Sequence, residues 1–332
     1  MTLATMSAWV RAALVGVVLA VGAVGAHAAD NDAAAQVARE ATQPSNNAPV
    51  WRAVNQPVEH YSAIKTPEAG VLIQASGNDW ALFRNGVITV YGGWLVSLAL
   101  TAVALMFAVR GPIKLKTARS GKLVKRFTRV ERYAHWSVAI TFITLAITGV
   151  VILWGRYFLL PVVSGSLYGP FLWFLKSVHN LVGPLFTISI IVMFIVYVRD
   201  NIPTASDVQW LLSGGKNPSH RFNGGEKLWF WGGVTVLGIV VSTSGWVLNS
   251  IVPGIDYFPR DTMQLANIVH GVASVLFIAM SIGHIYIGSV GMEGSYDGMA
   301  SGYVDESWAK EHHALWLDDV NAGADHRGKR SA

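Results

Sequence analysis

The stretch Met263–Gly291, MQLANIVHGVASVLFIAMSIGHIYIGSVG, decides the fold. It is apolar and longer than the roughly 20 residues that a bilayer-crossing helix needs at a 1.5 Å rise. It carries two histidines, His270 and His284, fourteen residues apart. At roughly 100° per residue, fourteen steps return within about 40° of the start, so both rings face one way, about 21 Å apart along the axis. A polar ring in lipid is costly and tends to be functional. One such histidine is commonly a hydrogen-bonded core residue. Two at this spacing suggest two stacked cofactors, one near each membrane surface, each needing a second ligand from elsewhere.

The rest of the chain has the same character. Its 332 residues are 52% hydrophobic and only 14% charged, where a soluble domain has about 25% charged residues. This is an all-α membrane protein, and a soluble enzyme is excluded. Cysteine is absent, so there is no disulfide, no thiolate metal site and no iron–sulfur cluster of its own. The net charge of +5 is concentrated beside one span, where it sets topology and does not argue for nucleic acid.

Residues 1–29 read as a secretory signal: Arg11, an apolar run from Ala12 to Gly25, then Ala26-His27-Ala28 as a cleavage site. Residues 30–86 form a polar periplasmic segment with no catalytic spacing, in which Val71-Leu72-Ile73 fits a short strand. Residues 87–110 are the first transmembrane helix. Residues 111–132 are a basic linker; from Arg110 to Arg132 there are nine Lys or Arg residues against one acid, Glu131. Short basic segments beside spans mark the cytoplasmic side. Residues 133–290 hold four further spans, with an outer loop at 156–170, a cytoplasmic loop at 199–226 and an outer loop at 250–262. Residues 291–332 are a polar cytoplasmic tail.

This topology pairs four histidines. His135 opens the second span and meets His284 on the cytoplasmic side. His179 lies early in the third span and meets His270 on the periplasmic side. Each pair comes from two helices, as in cofactor sites at bundle cores. Imidazole on both axial positions suits a b-type haem, and without C-x-x-C-H a covalent c-type haem is excluded. Gly149, fourteen residues after His135, would let a flat macrocycle approach, or is an ordinary close-packing glycine. Pro184, five residues after His179, should kink its helix. Arg129, Arg132, Arg156 and Lys176 lie near the surfaces, as interface anchors or propionate partners. His60, His312, His313 and His326 read as solvated, and His220 as a possible proton relay. The turn Asn223-Gly224-Gly225-Glu226 faces the His135/His284 side. It fits an ordinary turn and helix cap. It also offers the few polar contacts that a quinone head group needs in an apolar cleft, beside His284.

Taken together, these residues resemble the cytochrome b (gamma) subunit of respiratory formate dehydrogenases. The matching pieces are Arg126-Phe-Thr-Arg-Val-Glu-Arg-Tyr-Ala-His135-Trp136, Val178-His179, Asn201-Ile202-Pro203, Asn223-Gly-Gly-Glu-Lys-Leu-Trp-Phe-Trp231, His270-Gly271 and His284-Ile-Tyr286. The tail adds Gly294-Ser-Tyr-Asp-Gly-Met299 and Trp308-Ala-Lys-Glu-His-His313. The resemblance implies a four-helix di-haem cytochrome b bundle with one additional N-terminal transmembrane helix. It implies two haem b groups, on His179/His270 (periplasmic) and His135/His284 (cytoplasmic). A quinone, menaquinone or ubiquinone, would bind near Asn223, Gly224, Gly225, Glu226 and His284. Partners would be an iron–sulfur (beta) subunit and a molybdenum or tungsten catalytic (alpha) subunit that oxidises formate; no catalytic residue is expected here. The setting would be the bacterial inner membrane, with the mature N-terminus periplasmic and the C-terminus cytoplasmic. A cytochrome b subunit of a nickel–iron hydrogenase or related membrane reductase fits the same histidines. So does a haem-free membrane anchor, in which they act as polar glue.

Overall fold

A computed structural model describes residues 71–255 and 258–327, with residue 54 and residues 60–61. The signal expected at residues 1–29 lies outside the described residues, as does most of the periplasmic segment. The chain divides into two compact units, residues 1–75 and 76–332. In the first, β1 (His60–Tyr61) pairs antiparallel with β2 (Val71–Ile73), where the sequence suggested a strand.

The second unit contains, among its described residues, five helices long and apolar enough to cross a membrane. In chain order, α1 is Ser76–Arg110, followed by β3 (Leu123–Lys125). Next come α2 (Arg129–Phe158), α3 (Gly165–Asp200) and the short α4 (Ala205–Leu212). α5 (Gly224–Leu248) and α6 (Arg260–Gly291) complete the spans. Beyond them lie α7 (Ser295–Ser301), β4 (Tyr303–Asp305), α8 (Glu306–His312) and α9 (Ala314–Asn321).

The helices overrun the apolar runs. α1 starts at Ser76, not at 87, so the end of the supposed periplasmic segment is helical. α3 starts at Gly165 and takes in Pro170, which was expected in a loop. Pro170 is the sixth residue of this helix, so its missing N–H removes one bond, to Ser166 O, from the second turn. Polar side-chain caps set the starts of α2, α5 and α8. Thr128 accepts from Glu131 N at 3.3 Å and Glu131 accepts from Thr128 N at 2.7 Å, a capping box opening α2. α1, α5 and α6 each contain a π-helical stretch, at Arg84–Tyr91, Trp229–Leu237 and Ile287–Gly291.

α2 and α3 form an antiparallel hairpin, α5 packs on α3, and α6 packs on α5 and α1. Val138, Phe186, Ile190, Val241, Ala273 and Phe277 fill the middle of the bundle. Only 6% of the α1 window is buried against 28% for α5 and α6, so α1 is peripheral. Its remaining surface is apolar, as lipid requires.

Linker and tail are not two separate solvated segments. β3 pairs antiparallel with β4, Leu123 opposite Asp305 and Lys125 opposite Tyr303. Val124, Val304, Trp308, Ala309, Trp316 and Leu317 form a small core beneath them. The two halves make one folded cap over the end of the bundle where α2 begins. His313, read as solvated, is 1% exposed inside this cap. Two adjacent histidines cannot share a helix face, and the break between α8 and α9 turns one of them inward.

Candidate functional site

Two imidazole pairs meet inside the bundle. The rings of His135 on α2 and His284 on α6 lie 6.2 Å apart, centroid to centroid, at 53°. Those of His179 on α3 and His270 on α6 also lie 6.2 Å apart, at 77°. The helices bearing the partners of α6 are not those it packs on most closely, so the rings bridge gaps between helices. Metal–imidazole bonds of about 2.0 Å, with each ring nitrogen about 1.1 Å from its centroid, would put two trans imidazoles about 6 Å apart. The pairs have the separation that one metal atom between them requires. Among the described residues no group of three or more His, Cys, Asp or Glu could hold a metal. A two-ligand site suits a metal whose remaining ligands arrive with it, as in a macrocycle.

Neighbouring groups orient the rings for that task. Thr148 Oγ1 donates to Thr144 O at 2.8 Å and lies 2.8 Å from His179 Nδ1. The hydroxyl proton is committed, so Nδ1–H donates and Nε2 keeps its lone pair. Ser244 repeats the arrangement for His270. Its Oγ donates to Val240 O at 2.6 Å and lies 3.1 Å from His270 Nδ1, which also reaches Val241 O at 3.0 Å. Both rings present Nε2 for coordination, with the other nitrogen fixed by an outer hydrogen bond. Two glycines press on the same rings. A Cβ on Gly149 would meet His179 Cε1 at 3.5 Å, and one on Gly245 would meet His270 Cε1 at 3.3 Å.

The other pair is bordered by aromatics. Trp229 stacks on His284 at 5.0 Å and 18°, and Trp136 meets His135 edge-on at 5.5 Å. His135 Nδ1 is buried without a hydrogen-bond partner, in keeping with a ring whose placement depends on a ligand. Between the two levels, Phe142, Phe186 and Phe277 cluster, the closest pair 4.7 Å apart. Each lies seven residues from a histidine of its own helix. They form an apolar partition between the pairs.

The Asn223 turn is first of all a helix cap. Asn223 Oδ1 accepts from Glu226 N at 3.0 Å, and Glu226 Oε2 accepts from Asn223 N at 2.9 Å. A Cβ on Gly224 would fall 2.6 Å from Asp207 O, and one on Gly225 would fall 3.2 Å from the Trp210 ring. Close packing of α4 therefore accounts for both glycines. Glu226 lies within electrostatic reach of His284, and Trp229 continues the same helix onto that ring.

A charged network joins this turn to the cap. Arg126 donates to Glu226 Oε1 at 3.0 Å, to Arg221 O at 2.8 Å and to His313 Nε2 at 3.0 Å. Burial lowers the Arg126 guanidinium below its ordinary value, against the raising effect of Glu226. Arg221 bridges Glu131 at 2.9 Å and Asp200 at 2.5 Å, all three buried. Burial alone would raise the Asp207 carboxyl, but hydrogen bonds from Lys227 and Thr204 hold it low.

The surface cations divide. Arg132 donates to the carbonyls of Met299, Ala300 and Ser301, which makes it a cap residue. Arg156 lies over the Tyr157 ring at 5.0 Å, while Arg129 and Lys176 are exposed. His220 is exposed, 3.7 Å from Asp319. Sequence reasoning passed over Thr148, Ser244, Gly245 and Trp229. The signal for Thr148 and Gly245 was their place beside Gly149 and Ser244, in two small-residue pairs on facing helices.

Residues 126–302 match the family described as prokaryotic cytochrome b561. The nitrate-inducible formate dehydrogenase cytochrome b556(Fdn) subunit of Escherichia coli strain K12 is 26% identical over 212 residues, 60% of this chain and 92% of the relative. The formate dehydrogenase cytochrome b556(fdo) subunit of the same strain is 28% identical over 206 residues, 59% of this chain and 93% of the relative. The formate dehydrogenase cytochrome b556 subunit of Haemophilus influenzae is 24% identical over 216 residues, 61% of this chain and 85% of the relative.

Proposed function

The chain belongs to the prokaryotic cytochrome b561 family, and from that premise we propose that it is the membrane cytochrome b subunit of a formate dehydrogenase. It binds two haem b groups, one between His179 and His270 and one between His135 and His284. It carries electrons from an iron–sulfur subunit docked at the His179/His270 end to a quinone at the His135/His284 end. The relatives named above are subunits of such dehydrogenases, which supports a separate catalytic subunit as the site of formate oxidation. The observation that carries the reading is the pair of 6.2 Å imidazole separations, each drawn from two helices, at two levels of one bundle.

When bound, haem b supplies one-electron exchange at its iron. The chain does the rest. His179 and His270 offer Nε2 from the two sides of their site, with Thr148, Ser244 and Val241 holding the Nδ1 protons, while the rings of His135 and His284 face each other across the second site. Gly149 and Gly245 keep the space beside the rings free. Phe142, Phe186 and Phe277 keep water from the interval between the pairs. The nine cations from Arg110 to Arg132 favour the cytoplasm for the capped end, so the membrane is the bacterial inner one and the opposite end is periplasmic. A quinone taking two electrons also takes two protons. At the capped end these come from the cytoplasm, through groups such as Glu226 at the head of α5. Asn223, Glu226 and His284, with Trp229 as a flat apolar wall, are the residues proposed to meet the head group. Gly224 and Gly225 shape that turn.

Affinity purification of the full chain from its own membranes tests the assembly. A molybdenum- or tungsten-containing formate-oxidising subunit and an iron–sulfur subunit should accompany it. Recovery of a hydrogen-oxidising nickel–iron subunit in their place would move the protein to the other partner class. In the complex, His284→Ala should abolish quinone reduction while formate oxidation by an artificial dye persists. Undiminished quinone reduction would refute the site.

A further inference from the structure

The helix α1 lies outside the matched region, which begins at residue 126. Resting on the haem reading of His270, we propose that α1 is a positioning element for the His179/His270 site, acting through α6. Three contacts carry this. Trp80 Nε1 donates to Asn267 Oδ1 at 3.1 Å. Ile88, 4% exposed, sits where a Cβ on Gly271 would be 3.1 Å from its Cδ1. A Cβ on Gly92 would lie 3.1 Å from Val275. Asn267, Gly271 and Val275 are four residues apart, one stripe along α6. His270 lies between the first two. Two glycines, one on each helix, bring the backbones together, and this is the close packing that holds helices in lipid.

The π-helical stretch Arg84–Tyr91 makes the fit possible. In a straight α-helix, eight residues turn through about 800°, leaving Ile88 about 80° away from the Trp80 face. The looser π turns absorb that excess and put both side chains on α6. Trp154 of α2 clamps the same stretch by donating to Thr89 O at 2.7 Å. The π stretch is therefore held from two sides, at the level of the histidine whose own ring is fixed by Ser244 and Val241. The face of α1 turned away from α6, with Leu98 and Leu105 exposed, takes no part.

The test uses the full chain, purified with its haem. Two readouts are followed: the midpoint potential of each haem, and the electron paramagnetic resonance signal of each, whose anisotropy follows the angle between its axial imidazole planes. Gly271→Leu, which displaces Ile88, should shift the potential and signal of the His179/His270 haem and leave those of the His135/His284 haem unchanged. Trp80→Phe, a change too mild to unfold the bundle, should shift the same haem in the same direction by less. Leu98→Ala should shift neither. The proposal is overturned if Gly271→Leu and Trp80→Phe leave the first haem unmoved, or if both haems shift equally. A wild-type chain without two separable haem signals would instead overturn the haem reading beneath it.

Discussion

Arg126 donates to Nε2 of His313 at 3.0 Å, across 187 residues of sequence. The other ring nitrogen, Nδ1, donates to His220 O at 2.8 Å. The ring is therefore neutral and tied at both ends, the fastening between the basic linker and the tail.

The fastening is pH-sensitive, with a defined sign. Burial, with Arg126 adding to it, pushes His313 from the ordinary 6.5 down to about 3. Below pH 6.5 the unfolded cap takes up a proton that the folded cap refuses until about pH 3. Stability is whole above 6.5 and falls as acid is added through that window. Hydrogen exchange across Trp308–Leu317, corrected for intrinsic rates, should show more opening at pH 5 than at pH 7.5. Equal protection at both would contradict the buried neutral ring.

Arg221 neutralises two buried carboxylates, Glu131 and Asp200. Arg221→Ala removes the nearer cation and leaves Arg327, 3.4 Å from Glu131 and 3.9 Å from Asp200, so the cost should be up to about 3 kcal/mol. Thermal unfolding in detergent measures it; a loss below about 1 kcal/mol would mean that Arg327 alone neutralises the two carboxylates.

Thr148 Oγ1 lies against His179 Nδ1 and Ser244 Oγ against His270 Nδ1, and each ring also has a backbone carbonyl partner, Leu145 and Val241. Thr148→Val and Ser244→Ala should each loosen haem at that site by roughly 10-fold, the low end of the usual loss for a metal-orienting partner, because a carbonyl remains to each ring. Haem retention during transfer to apomyoglobin measures both. Unchanged retention in both variants would contradict the assignment.

Asn223 caps α5 and is also proposed to meet the quinone. Asn223→Ala should destabilise the fold by about 1 kcal/mol, and Asn223→Asp, which still caps, should cost little. Asn223→Asp should nevertheless slow quinone reduction, since it replaces an amide donor with a carboxylate. Normal quinone reduction in Asn223→Asp would leave Asn223 as a cap alone.

The spans and the histidine pairing were legible because lipid imposes a coarse rule, about twenty apolar residues per crossing, with polar rings few enough to notice. The fourteen-residue interval in α6 then fixed two levels, and the alternation of spans fixed the partners. The cap was not legible. Its buried groups, Arg126, Arg221 and His313, are residues that usually face water, and only contacts distant in sequence bury them. The glycines of the Asn223 turn looked like exposed backbone because α4, which packs on them, carries no strong pattern. The early start of α1 was hidden for a related reason: Ser76–Gly86 is polar, and a helix that leaves the bilayer no longer obeys its rule.

The central claim is two haem b groups held by four histidines, and stoichiometry tests it most directly. Pyridine–haemochrome and iron quantification on the intact, full-length protein should return two haem b per polypeptide. His284→Ala and His270→Ala should each return one. A value of one or fewer for the wild-type protein would contradict the account.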